Sequence, residues 1–292
     1  MRTVYLNALK PNTRSLYARA IRHFEALMHK PPEEATLADI EQFHRQLLDR
    51  LKYSSARTYT MAIGGYIGWL HDMGLRELPS GWRQLARRLR EPRSPRRALS
   101  DEEVQRLLRA ARGRPSWRRD VLLIETILIL WLRRSELAAM RFEHFRRRGR
   151  QTVLWLPHTK RGTDDWVPVP EQLHERLVVE LGREGYGETT GPVWRSAIQH
   201  VYQRRALSEE SIRFVTLKIG RDAGLEGITP HVLRHTGITM AMRMGVPIDR
   251  IKRMARHGSI STTMRYVHDL DYLREAPSLV LADVVRRLEE TS

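Results

Sequence analysis

Apolar residues recur at helical spacing along most of this chain. Leu16, Ala20, Phe24 and Leu27 form a first stripe, with arginines over the opposite face, and predict a helix over residues 12–30. Thr36-Leu37-Ala38-Asp39 reads as a capping box opening a second helix, whose buried face continues through Ile40, Phe43, Leu47 and Leu51. A third helix is expected over 54–73 with Gly74 as its stop, and a short fourth over 81–89. The stripes are narrow, so these helices should pack on one another as a small all-helical bundle.

The pattern breaks over 90–98, where REPRSPRRA holds two prolines, four arginines and no apolar residue before Ala98. It reads as an extended basic linker, either lying along a phosphate backbone or simply solvated. Ser100-Asp101-Glu102-Glu103 is then a strong capping box ahead of Val104, Leu107, Leu108 and Ala111. Residues 1–89 and 99–292 therefore read as separate domains. A helix over 119–131, apolar nearly all round, should be the buried centre of the second. Arg133 follows where the chain must emerge from that core, and needs either an anion such as phosphate or an internal partner, Glu136 or Glu143.

After Arg146-Arg147-Arg148-Gly149-Arg150 the period changes to two. Val153 and Trp155, then Trp166, Val167 and Val169, predict an antiparallel hairpin with residues 158–163 at its tip. Helices over 171–184, 208–223, 233–244 and 248–255 complete the expected order. Beyond them, Leu281, Val284, Val285 and Leu288 make one stripe over about 278–289. That last helix either folds back on its own domain or is offered to a neighbour. The fold class is mainly α with a small antiparallel β-sheet.

Charge narrows the partner. Against 34 acidic residues stand 51 lysines and arginines, a net charge of +17 with a pI near 10.8, so a polyanion is expected, nucleic acid ahead of a membrane surface. The longest apolar run, 121–132, is too short to span a bilayer and contains Glu125, and the N-terminus lacks a signal-peptide core. A cytoplasmic location is the expectation. With no cysteine, disulfides and thiolate metal sites are excluded, and no Asp/Glu/His set stands at metal spacing near the candidate residues below, so neither metal nor other cofactor is expected.

The candidate chemistry is concentrated between Thr229 and His268, which holds His231, Arg234, His257 and Tyr266. A phenol is a poor nucleophile at neutral pH, so an attacking tyrosine needs nearby cations to lower its pKa and take up developing charge. Taken singly, each residue has a plainer reading: a surface arginine, a structural histidine, a core aromatic. Lys160, at the hairpin tip, would ordinarily just be solvated.

Together, His-x-x-Arg-His, a helical hairpin, Arg-His-Gly and a tyrosine nine positions after His257 resemble the signature of the tyrosine recombinases, the phage integrase family. That family's catalytic order of Arg, Lys, His, Arg, His (or Trp) and Tyr is matched by Arg133, Lys160, His231, Arg234, His257 and Tyr266. Two glycines of the family pattern are replaced. Gly-Leu-Arg-x-Ser-Glu-Leu is Trp131-Leu132-Arg133-Arg134-Ser135-Glu136-Leu137 here, and Leu-Gly-His is Ala255-Arg256-His257. These departures bear on local backbone geometry and on rate, and leave every catalytic group in place.

The resemblance covers 99–268 well and the N-terminal bundle more loosely, by helix pattern and position. It implies a SAM-like core-binding bundle and a catalytic domain that clamp double-stranded DNA with inverted half-sites, as a homo-tetramer on two duplexes, with or without a second recombinase. It implies a compact, Xer-like or simple phage or plasmid enzyme without an extra arm-binding domain. Tyr266 would form a 3′-phosphotyrosyl link, Arg133, Arg234 and His257 would hold the phosphate, Lys160 would be the general acid, and His231 would assist proton transfer at Tyr266. Two rivals stay open: a type IB topoisomerase, and a DNA-binding accessory protein on an inactive scaffold.

Overall fold

A computed structural model describes residues 1–89, 98–157, 164–196 and 205–256. The chain divides into two compact units, Met1–Ser94 and Pro95–Ser292.

The first unit holds helices α1 (Arg2–Ala8), α2 (Pro11–Met28), α3 (Leu37–Leu48), α4 (Tyr53–Asp72) and α5 (Trp82–Arg88), with a 3-10 turn at Pro32–Glu34. Phe24, Ile40, Phe43, Leu47, Ile63 and Ile67 meet in its core, essentially without solvent contact. The box at Thr36 forms: Thr36 Oγ1 accepts from the Asp39 amide at 3.3 Å, and the Asp39 carboxylate accepts from the Thr36 amide at 2.7 Å. The positive φ of Gly74 ends the excursion beyond α4.

Helix α1 is absent from the sequence reading. Seven residues are too few for a periodic signal, and a helix this short does not persist alone. Tertiary contacts make it: Tyr5 is buried against the rings of Tyr66 and Trp69, at centroid distances of 5.1 and 5.2 Å. Arg2 pairs with Glu33 at 2.7 Å, and Tyr66 Oη donates to the same carboxylate.

The second unit runs α6 (Asp101–Arg112), α7 (Trp117–Leu130), α8 (Arg134–Ala138), a sheet, α9 (Glu171–Arg176, continued with π spacing over Leu177–Tyr186), α10 (Glu209–Asp222), α11 (Pro230–Arg243) and α12 (Ile248–Ala255). Helix α7 is its centre, with Val121, Leu122, Leu123, Ile124, Ile127 and Leu130 at 2% exposure or less. The sheet has three strands rather than the two of the expected hairpin: β1 (Phe145–Arg148), β2 (Gln151–Leu156) and β3 (Asp165–Pro168), antiparallel in that order. Strand β1 reads FRRR, which resembles a solvated charge run. Its pairing of Arg146 with Val153, together with the Arg146 guanidinium 4.4 Å from the Trp155 ring centroid, turns the run into an edge strand. The expected hairpin itself forms between β2 and β3, with Trp155 opposite Trp166.

Most of the 90–98 linker, the hairpin tip and the expected C-terminal helix over 278–289 lie outside the described residues.

Candidate active site

Two helix ends converge in the second unit. The last carbonyls of any helix lack intrahelical donors and carry its negative pole, so they attract cations. Here the ends are those of α7, capped by Trp131, and α12, capped by Arg256; a small cluster of Trp131, Ile238, Ile251 and Ala255 packs both against α11. Close approach of α11 to α7 depends on Gly237, where a Cβ would lie 2.1 Å from the Leu128 carbonyl and 2.8 Å from Trp131 Nε1.

Both capping residues adopt the left-handed conformation, Trp131 at φ 49° and Arg256 at φ 54°. These are the two positions at which the family pattern carries glycine. A side chain in that region costs roughly 1–2 kcal/mol per residue. At Trp131 burial of the indole, 6% exposed, and its Nε1 donation to Leu128 O at 2.9 Å offset the strain.

Arg234 projects from α11 with 4% exposure. Its guanidinium donates to the carbonyls of Trp131 and Ala255, one from each helix end. Arg133 is the N-cap of α8 and its side chain keeps 28% exposure. It donates through Nη1 to Glu136 at 2.7 Å and through Nη2 to the Arg256 carbonyl at 2.6 Å. Consecutive carbonyls of one helix end, Ala255 and Arg256, thus hold two arginines that the sequence separates by a hundred residues. Of the partners expected for Arg133, Glu136 is the one that forms, and the side chain as a whole stays partly exposed. Glu143 pairs elsewhere, with Arg141 at 3.3 Å.

His231 lies in the first turn of α11, exposed, one helical turn before Arg234. Thr229 caps that turn by accepting from the Val232 amide at 3.3 Å, and Pro230 supplies the first helical φ. Lys160, His257 and Tyr266 lie outside the described residues.

Arg256 enters the site as a residue the sequence reading left without a role. Its Nη2 donates to Glu136 Oε2 at 2.7 Å and to the Trp131 carbonyl at 3.2 Å, and Nη1 donates to Met254 O at 2.8 Å. Glu136 is therefore shared by two guanidinium groups. Burial pushes its carboxyl pKa up, but Arg256, followed by the Arg133 amide and guanidinium, outweighs that and holds it below the ordinary carboxylate range. The signal that could have pointed to Arg256 is the replacement of a family glycine by a long cation. Among the described residues no three His, Cys, Asp or Glu side chains assemble as a metal-binding group, and no helix is long and apolar enough to cross a membrane.

Residues 97–272 match the phage integrase family, and residues 1–77 match the phage integrase N-terminal SAM-like domain. The chain is 26% identical over 275 residues to tyrosine recombinase XerC of Pelobacter propionicus, covering 91% of this chain and 88% of that protein. It is 27% identical over 276 residues to tyrosine recombinase XerA of Pyrococcus furiosus, with coverage of 93% and 88%. Among solved structures, XerH site-specific recombinase bound to palindromic difH substrate in a post-cleavage complex aligns with a TM-score of 0.69 at 19% identity, over 91% of this chain and 79% of that one. A lambda integrase dimer bound to a core site aligns with a TM-score of 0.69 at 17% identity, over 90% of each. At these identities the structural likeness speaks to the fold.

Proposed function

The chain belongs to the phage integrase family, and from that premise we propose that it is a site-specific DNA recombinase, breaking and rejoining strands through a tyrosine nucleophile. The observation that carries the reading is the pair of guanidinium groups, Arg133 and Arg234, held to neighbouring carbonyls of one helix end. Such fixed donors suit the charge that develops on a phosphodiester under attack.

In this reading Tyr266 attacks the phosphorus of a DNA phosphodiester and displaces the 5′-oxygen, leaving a 3′-phosphotyrosyl bond and a free 5′-hydroxyl. That hydroxyl, from the same or a partner strand, then attacks the phosphotyrosyl bond and releases the phenol. One phosphoester is exchanged for another at each step, so no nucleotide hydrolysis is required. Arg133 and Arg234 bind the non-bridging oxygens, with His257 as a further donor. Lys160 protonates the departing 5′-oxygen, and His231 assists proton transfer at Tyr266.

The net charge of +17 supports a duplex as partner, bound at inverted half-sites. Four protomers on two duplexes, coupled by the segment over 278–289, would complete the reaction in the cytoplasm, and mass measurement of DNA-bound complexes that never exceed two protomers per duplex pair would count against this assembly.

The experiment uses a nicked suicide duplex carrying a site recovered by binding selection from random DNA. Wild-type protein forms a covalent adduct and exchanges strands, while Tyr266→Phe binds equally and forms no adduct. Adduct retained in Tyr266→Phe excludes this nucleophile. Relaxation of supercoils without exchange would indicate a type IB topoisomerase, and wild-type binding without adduct would indicate an accessory protein.

A further inference from the structure

Arg256 carries two costs that a small residue at its position would avoid. Its backbone sits at φ 54°, where a side chain is strained, and its guanidinium is withdrawn from water, with a side-chain exposure of 4%. Among the described residues its Nε has no hydrogen-bond partner at all. A strained, buried cation of this kind persists only where the surrounding contacts over-determine it.

Its contacts answer in a single pattern. Nη2 donates to Glu136 Oε2 at 2.7 Å, while Glu136 Oε1 accepts from Arg133 Nη1 at 2.7 Å, so one carboxylate is held between the two arginines. The same Nη2 reaches the Trp131 carbonyl at 3.2 Å, the acceptor that Arg234 also uses. The main-chain carbonyl of Arg256 accepts from Arg133 Nη2 at 2.6 Å. One residue thus touches a group that fixes Arg133, a group that fixes Arg234, and Arg133 directly.

We infer that Arg256 is a positioning residue for the reaction, locking Arg133 and Arg234 in register through the Glu136 carboxylate and the Trp131 carbonyl. Its Nη1 and Nη2 are engaged by Met254 O, Glu136 and the Trp131 carbonyl, and no phosphate contact of its own is assigned to it. The inference rests on the reading of Arg133 and Arg234 as the phosphate-binding pair.

Without the side chain, the Arg256 carbonyl and the left-handed cap persist, the latter relieved of strain if glycine replaces arginine. Glu136, however, loses a cation. Among the described residues the charged groups around it are Arg133 from its own helix start, Arg256 from the end of α12, and Arg234 of α11 at the adjoining Trp131 carbonyl. With Arg256 removed, burial raises the Glu136 carboxyl against Arg133 as its remaining direct cationic partner, and protonation of that carboxyl would loosen its hold on Arg133. A misplacement of about 1 Å is enough to cost on the order of 100-fold in rate.

The test compares wild type with Arg256→Gly on the suicide duplex. Three quantities are read: the single-turnover cleavage rate at saturating protein from pH 5 to 9, the Kd for the same duplex, and the melting temperature. The expected result is a cleavage rate about 10- to 100-fold lower at neutral pH, Kd changed by less than about threefold, and an acid limb displaced to higher pH. A wild-type rate and pH profile in Arg256→Gly overturns the inference and leaves the recombinase reading standing. So does a loss of rate that tracks Kd and melting temperature with no movement of the acid limb, which is the mark of a structural role only. Absence of adduct from the wild-type protein overturns both. Should Arg256→Gly melt below the assay temperature, Arg256→Lys, which keeps the stem and one charge without the fork, is read for the same quantities, with an intermediate rate expected and a wild-type rate and profile overturning the inference.

Discussion

The guanidinium of Arg234 donates to the main-chain carbonyl of Trp131, 103 residues away in sequence, and so ties the middle of α11 to the end of the central helix α7. Arg234 therefore stabilises the unit as well as serving as a proposed phosphate ligand. Arg234→Ala should lower cleavage by about 100- to 1,000-fold. It should also lower stability by about 1–3 kcal/mol, because the Ala255 carbonyl loses its side-chain donor and the Trp131 carbonyl one of two. Arg133→Ala, from a half-buried position, should match the first effect with a smaller second one. Single-turnover cleavage beside urea unfolding separates the two, and equal destabilisation by both variants would contradict this assignment.

Lys160→Ala should slow cleavage of ordinary DNA and recover on a duplex with a 5′-phosphorothiolate at the scissile bond, since a departing thiolate needs no proton. If the sulfur substrate is cut no faster relative to wild type than the oxygen one, Lys160 is not the general acid.

Gly237→Ala puts a methyl group 2.1 Å from the Leu128 carbonyl, so α11 and α7 must separate. The expected loss is about 2 kcal/mol or more, with reduced cleavage because the Trp131 carbonyl moves with α7. Chemical denaturation gives the number, and a variant within 0.5 kcal/mol of wild type (~0.5, the usual span of a surface change) would show that the contact is not close in solution.

In the N-terminal unit, burial pushes the Glu33 carboxyl up, but hydrogen bonds from Arg2 and Tyr66 outweigh it and lower its pKa to about 2. A depressed carboxyl pKa adds stability that is fully present above the unfolded value of about 4.5 and is lost as pH falls towards about 2. The pair is about a third exposed, so after solvent screening the effect is about 1–2 kcal/mol. Melting of Glu33→Gln against wild type should show a gap near neutral pH that closes between pH 4.5 and 2. A gap independent of pH would mean that the ion pair is not its source.

Residues acting through local pattern were legible in the chain alone. Capping boxes at Thr36 and Ser100 need only four consecutive residues, and the apolar faces of α2, α3, α7 and α12 repeat within a few turns, so their existence follows from spacing. The arginine, histidine and tyrosine set stands in the chain only as an ordered motif, because spacing in sequence carries no distance in space, and His257 and Tyr266 lie outside the described residues. What the tertiary structure decided is everything that depends on partners far along the chain. Helix α1 exists because Tyr5 and Arg2 find Tyr66 and Glu33, and β1 is a strand because β2 offers it a ladder and Trp155 a ring. Above all, a glycine-to-arginine departure that reads in sequence as a local backbone matter becomes, once α7 and α12 end side by side, a second guanidinium at the carboxylate of Glu136. Hydrogen bonds reach only about 3 Å, and only the packed fold brings residues 131, 136, 234 and 256 within that reach.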